Sequence, residues 1–163
     1  MEQLIHLYIY IPLFAFVASL FMPRKKEALI SIFTMLAIVI HLLGIVTFIF
    51  MWAGNNFTTI DLKHVVLFKA DGFEFFINFY FDEITAVYAS TGAVITLMVS
   101  VFSRYYMHRD EGFKRFYNTV LFFYLGYSIV IFSGNFETLF IGWEILGITS
   151  FLLIAFYRDC NCY

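Results

Sequence analysis

Hydrophobic and polar positions along this chain repeat on two scales: long uninterrupted apolar runs, and one stretch of strict alternation. The long runs are Leu4–Met22, Ala28–Ala53, Ile84–Met107, Phe116–Phe132 and Phe136–Tyr157. Each is near or above the ~17–25 residues that a helix needs to cross a hydrocarbon core. A spanning segment must satisfy its own backbone hydrogen bonds in lipid, so each run predicts a transmembrane helix. The fourth is the shortest, and Tyr117 and Tyr124 make it more polar than the rest. Pro12 falls inside the first run and Pro23 closes it.

The alternating stretch lies between the second and third runs. "FEFFINFYF" places Phe73, Phe75, Ile77, Phe79 and Phe81 at period two, and "TTIDLKHVVLF" precedes it across "KADG". Asp71-Gly72 is a favoured hairpin turn pair, so a small β-hairpin is expected, its apolar face on the membrane domain. The alternative is an irregular amphipathic loop. The expected class is therefore an all-α integral membrane bundle of about five helices with a short external hairpin between helices 2 and 3. It divides into residues 1–81, the first two helices and the hairpin, and residues 82–163, helices 3–5.

Charge fixes an orientation. Arg24, Lys25, Lys26, Arg104, Arg109, Lys114, Arg115 and Arg158 all fall on one side of a five-span layout. Only Lys63 and Lys69 fall on the other, in the loop that also holds Asp61, Asp71, Glu74, Asp82 and Glu83. The positive-inside rule makes the basic side cytoplasmic, with the N-terminus outside and the C-terminus inside. Composition agrees: the 163 residues are 62% hydrophobic and 13% charged, against about half and a quarter for a soluble domain. A net charge of −2 and no basic face leave nucleic acid without a binding surface. Cys160 and Cys162 are too close together for the usual zinc pairs and read as free thiols. The first run lacks a basic flank and an A-x-A-like cleavage site and reads as a retained span.

Within this apolar background a few side chains can carry chemistry. Glu144 lies about eight residues into the fifth run, ~12 Å from its outer end. A charge at that depth costs about 2.5–3.5 kcal/mol on insertion scales. It must therefore face protein, water or a partner charge, or sit protonated. Its functional reading is a proton-exchanging carboxylate; the alternative is a neutral acid bonded to a neighbouring helix. Gly142, Gly147, Thr149 and Ser150 surround it and leave room for another helix or water. Glu137, two turns earlier on the same face, reads first as a solvated interfacial carboxylate and second as part of the same proton path. His41, midway along the second run, reads first as a packing residue and second as a proton shuttle. Gly92, Thr96 and Ser100 form a small-residue stripe suited to close packing. Asp82 and Glu83 suit the start of the third helix. No Gly-rich phosphate loop, haem-like His pair or iron–sulfur cysteine array is present, so no cofactor is expected.

Two motifs add a family resemblance. "SRYYMHRDEGFKRF" resembles the S-x-x-Y-M-x-x-[DE]-x-x-x-x-R-F connection of the antiporter-like proton-translocating membrane subunits. "LFIGWEILGITSFLLIAFY" resembles their W-E-hydrophobic-x-G-x-x-S-[FY]-L-L-I helix, and "FDEITAVYASTGAVITLMVSVFS" agrees in order and spacing. These subunits include the chain 5 type of respiratory complex I, the NADH-quinone oxidoreductase. Related subunits serve Mrp-type sodium/proton antiporters and inorganic-carbon uptake complexes. The resemblance is weak over the first fifty residues and strong from about Phe79 onward.

The resemblance implies a larger bundle of about fourteen helices containing two inverted five-helix repeats, the first opening at the fourth helix. It implies that Glu144 is the membrane carboxylate that pairs with a lysine on a later helix. No lysine lies within an apolar run of this sequence. The chain is therefore expected to be a fragment, a truncated product or a split subunit. The implied setting is a multi-pass protein of a bacterial inner membrane. Its partners would be the bilayer, other membrane subunits and protons, with Na+ or K+ as alternative coupled ions. It would enter an enzyme only as a subunit, with no redox site of its own. A cation/proton antiporter or inorganic-carbon component, and a non-transporting structural subunit, stand as the other readings.

Overall fold

The structure is a computed structural model and describes residues 2–24, 26–54, 56–70 and 73–156. Five helices and one hairpin follow in chain order. They are α1 (Glu2–Leu20), α2 (Glu27–Ala53), β1 (Ile60–Ala70), β2 (Phe73–Phe81), α3 (Glu83–Tyr106), α4 (Phe113–Ile131) and α5 (Phe136–Ile154). The helices match the five apolar runs, shifted by a few residues at some ends. The largest shift of a helix start is at α4, which begins at Phe113 rather than Phe116. Asp110 explains the earlier start, because its Oδ1 accepts from Gly112 N (2.7 Å) and its carbonyl from Phe113 N (3.1 Å). α2, α3 and α5 are each long and apolar enough to cross a membrane, and α1 carries a shorter apolar stretch, Ile5–Leu20. Lys25, the Asp71-Gly72 turn, Arg158, Cys160 and Cys162 lie outside the described residues.

α4 is the central helix: α1, α2, α3 and α5 all pack on it, and α2 also packs on α1 and α3. Its tyrosines explain its polarity. Tyr117 Oη donates to Ser100 O (2.8 Å) and Tyr127 Oη to Tyr88 O (2.6 Å), so α4 is tied to α3 at two levels. Tyr127 lies directly on Gly92, where a Cβ would collide with its ring. The small-residue stripe is thus a packing seam at Gly92 and Ser100, both buried.

The two strands pair antiparallel from Ile60↔Phe81 to Ala70↔Phe73, with register shifts between Lys63 and Val65 and between Val66 and Phe68. Period two puts Phe79 and Phe81 into the core beside Phe48 and Trp52. The Phe48–Phe81 and Trp52–Phe81 rings meet edge to face at 4.8 and 5.2 Å. Such pairs contribute about 0.5–1.5 kcal/mol beyond their burial. On the opposite face of the hairpin Glu74 sits between Lys63 (2.7 Å) and Lys69 (2.5 Å). These two ammonium groups pull the Glu74 carboxyl down to about 2. Asp82 caps α3 by accepting from Thr85 N (2.8 Å), as its position predicts. His108 meets Glu27 at 3.0 Å across the basic end while staying largely exposed.

Candidate functional site

The site is built on α5, and its placement starts at the helix N-terminus. Asn135 is the N-cap: its side chain accepts from Thr138 N (3.0 Å) while its amide donates to Phe76 O (2.7 Å). Thr138 Oγ1 in turn accepts from Asn78 N (3.0 Å). Gly134 N donates to Asn78 O and Tyr80 N to Phe132 O, both at 2.8 Å. The free edge of β2 is therefore stitched to the α4–α5 connection and to the first turn of α5. The hairpin fixes where α5 begins.

Packing on α4 then fixes which way α5 faces. Gly142 is buried against α4, where a Cβ would lie 2.8 Å from Val130 N and 3.0 Å from Gly126 O. Only a residue without a side chain fits there, and Thr138 and Thr149 are buried on the same side. Glu144 is two residues on, about 200° around the helix. It is exposed, amid Phe140, Trp143, Ile148 and Phe151, which are all exposed as well. Gly147, one turn along, faces open space, with nothing within 4 Å of where a Cβ would stand. The two glycines flanking Glu144 are thus unlike: Gly142 joins α5 to α4, and Gly147 leaves a notch in the outward face.

Glu137 shares that face, one heptad and ~10 Å before Glu144, and is half-buried at the helix start. Neither carboxylate has a hydrogen-bond or ion-pair partner among the described residues. Arranged this way, α5 presents a mid-span acid with no cover on its side of the bundle.

His41 is elsewhere, in the core formed by α1, α2 and α4. It is 1% exposed, and its Nδ1 lies 2.6 Å from Tyr124 Oη. The His41 ring also meets Tyr8 at 5.9 Å, and Tyr8 Oη donates to Gly44 O (3.0 Å). The Tyr8 backbone is its other polar neighbour, although Nε2 makes no hydrogen bond of regular geometry. Pro12 accounts for that neighbour. Proline has no N–H to give the carbonyl four residues earlier, so Tyr8 O loses its intrahelical donor. The structure thus brings Glu137 and Glu144 onto one line and keeps His41 in a separate buried cluster.

Sequence reasoning did not find Tyr124, Gly126, Asn78 or Thr138 as the residues that position these groups. Gly126 and Tyr124 are visible as small and polar interruptions of the fourth run, but nothing local names their partners. Thr138 and Asn135 carry an ordinary helix-start signal; that it reaches β2 is a long-range fact.

Residues 67–117 match the family profile described as NADH-Ubiquinone oxidoreductase (complex I), chain 5 N-terminus. The chain is 30% identical over 112 residues to NADH-ubiquinone oxidoreductase chain 5 of Mytilus edulis, covering 69% of this chain and 20% of that protein. It is 37% identical over 87 residues to NADH-quinone oxidoreductase subunit L of Neisseria meningitidis, covering 53% and 13%. With the Campylobacter jejuni subunit L it shares 35% over 100 residues, covering 59% and 17%. The matched region spans a fifth or less of the length of these relatives.

Proposed function

We propose that this chain, whose sequence matches the N-terminal part of the complex I chain 5 family, is the N-terminal portion of a proton-translocating subunit. It is an integral membrane protein, and its complex would be of the NADH-quinone oxidoreductase type. Residues 1–81 form the supporting helices and the hairpin clamp. Residues 82–163 open the translocation core.

The observation that carries the reading is the position of Glu144. It is mid-span, on the exposed face of α5, with no partner among the described residues. A carboxylate so placed is costly in lipid and calls for protein or water on that side. The outward notch at Gly147 gives a neighbouring helix room to approach. Under the chain 5 resemblance, such a helix would carry a lysine. An ammonium beside Glu144 favours its carboxylate form, and withdrawal of the ammonium favours the protonated acid. Alternating the two takes a proton from one side and releases it to the other. Glu137, on the same line and nearer the hairpin end, would pass protons to or from the surface. His41, enclosed by Tyr8 and Tyr124, would serve this process by holding α1, α2 and α4 together.

Subunits of the antiporter and inorganic-carbon types would use the same carboxylate logic. The three relatives named above are NADH oxidoreductase subunits by name, which favours the redox-driven complex. By the positive-inside rule the N-terminus would lie outside and the C-terminus in the cytoplasm.

The test is Glu144→Gln in the complete assembly, reconstituted in vesicles and assayed for NADH-driven proton uptake with a pH-sensitive dye. Glutamine keeps shape and hydrogen bonding but cannot release a proton. Uptake is expected to fall severalfold with the complex still assembled. Unchanged uptake overturns the assignment. Loss of assembly in Glu144→Ala with normal uptake in Glu144→Gln identifies a structural role instead.

A further inference from the structure

α1 and α5 both pack on α4 and leave a trough between them at the basic end of the bundle. This groove, of about 940 Å³, has two chemically distinct halves. Its deeper half is apolar, walled by Phe16 of α1, Phe122 of α4 and Leu152 of α5. Its rim carries Arg24 from the α1–α2 connection and Lys114 and Arg115 from the first turn of α4.

Each cation is held differently. Lys114 Nζ donates to Leu20 O (2.8 Å) and Met22 O (2.7 Å), which anchors it at the end of α1. Arg115 donates to Phe156 O (3.1 Å) and lies over the Phe156 ring at 4.8 Å, leaving its remaining N–H groups free to point elsewhere. Arg24 is exposed and makes no hydrogen bond or ion pair among the described residues. Two carboxylates share the rim, Asp110 and Glu111. Asp110 is engaged with Gly112 N in its own turn. The rim as a whole keeps one net positive charge. Between rim and apolar half sits Asn118, whose buried Oδ1 has no partner. Its amide is free to take either orientation toward a polar ligand, since the two are not distinguished by shape.

We propose that this groove binds one anionic phospholipid, its phosphodiester at Arg24 and Arg115 and one acyl chain along Phe16, Phe122 and Leu152. The assignment rests on the match of a singly charged rim to a singly charged headgroup, and on the apolar channel continuing from that rim between two membrane helices. A free anion would satisfy the rim alone. A zwitterionic lipid would fill the apolar half but leave the net charge uncompensated. Basic side chains near a membrane surface contribute about 1 kcal/mol each toward anionic lipid.

The experiment uses the full chain in mild detergent, supplied with equal amounts of phosphatidylglycerol and phosphatidylcholine, with retained lipid counted by native mass spectrometry. One phosphatidylglycerol per chain is expected, in clear excess over phosphatidylcholine. Arg24→Ala, at an exposed connection where folding is not at stake, is expected to lower that preference about fivefold. Leu152→Trp fills the apolar half without touching charge and is expected to abolish retention of either lipid. Lys63→Ala, at the opposite end, is expected to change nothing. Equal retention of the two lipids, retention unaffected by Arg24→Ala and Leu152→Trp, or displacement of the lipid by millimolar inorganic phosphate in the absence of any acyl-chain dependence would each overturn the proposal.

Discussion

Gly142 of α5 and Gly126 of α4 meet backbone to backbone: a Cβ on Gly142 would stand 3.0 Å from Gly126 O, and one on Gly126 would stand 3.3 Å from Gly142 O. Because this contact admits no side chain, it sets the rotation of α5 about its own axis. That rotation turns Glu144 to the outside.

Gly142→Ala is therefore expected to destabilise the bundle by about 1–3 kcal/mol, the usual cost of overpacking. Gly147→Ala, in open space, should be neutral or mildly stabilising because alanine favours the helix. Thermal unfolding of the two variants in detergent checks the contrast. Equal effects would show that α5 does not seat on α4 through Gly142.

His41 and Tyr124 form a buried pair that can be tested by removing one partner. Tyr124→Phe leaves Nδ1 of His41 without its 2.6 Å partner. The cost should be about 1–2 kcal/mol, since a buried polar group loses its only strong hydrogen bond. A double-mutant cycle with His41→Leu should show a coupling of about 0.6–1.7 kcal/mol, the range of hydrogen bonds between membrane helices. Additive effects would mean that the two side chains do not act as a pair.

One hydroxyl contributes a single bond to the stitch between the hairpin and α5. Thr138→Val keeps shape but removes the acceptor for Asn78 N. The Asn78 amide should then exchange with solvent markedly faster, and stability should fall by about 1–3 kcal/mol. Asn135→Ala should cost about 1 kcal/mol through the lost cap. Hydrogen exchange of β2 in both variants reports whether the clamp has opened.

At the hairpin the charges create a pH dependence. Lys63 and Lys69 hold the Glu74 carboxyl at about 2. A depressed carboxylate stabilises the folded form above its unfolded value near 4.5, and that contribution is lost as pH falls toward 2. The Glu74 side-chain carbon resonance should titrate near 2 in the intact chain and move up in Lys63→Ala. A midpoint near 4.5 in the intact chain would show that the triad does not form in solution.

Much of this fold is legible in the sequence. Five apolar runs give five helices, because crossing length is counted along the chain and needs no partner. Period two from Phe73 to Phe81 gives β2 and its inward face, because alternation is a property of the strand itself. Asp82 announces the start of α3 for the same local reason. The basic connections gather at one end because charge segregation is also one-dimensional.

Glu144 itself stands out in the sequence as a costly acid, but its setting does not. Gly142 and Gly147 look alike in the sequence, two small residues around an acid. Tertiary packing made one a helix contact and the other an open notch, because only the position of α4 distinguishes the two faces of α5. His41 likewise reads as a lone histidine until Tyr124, 83 residues away, is folded against it. The sequence determined which segments form apolar helices and in what order, since hydrophobic length and charge are local quantities. The structure alone decided which way each helix faces, since that depends on close contacts between residues far apart in the chain.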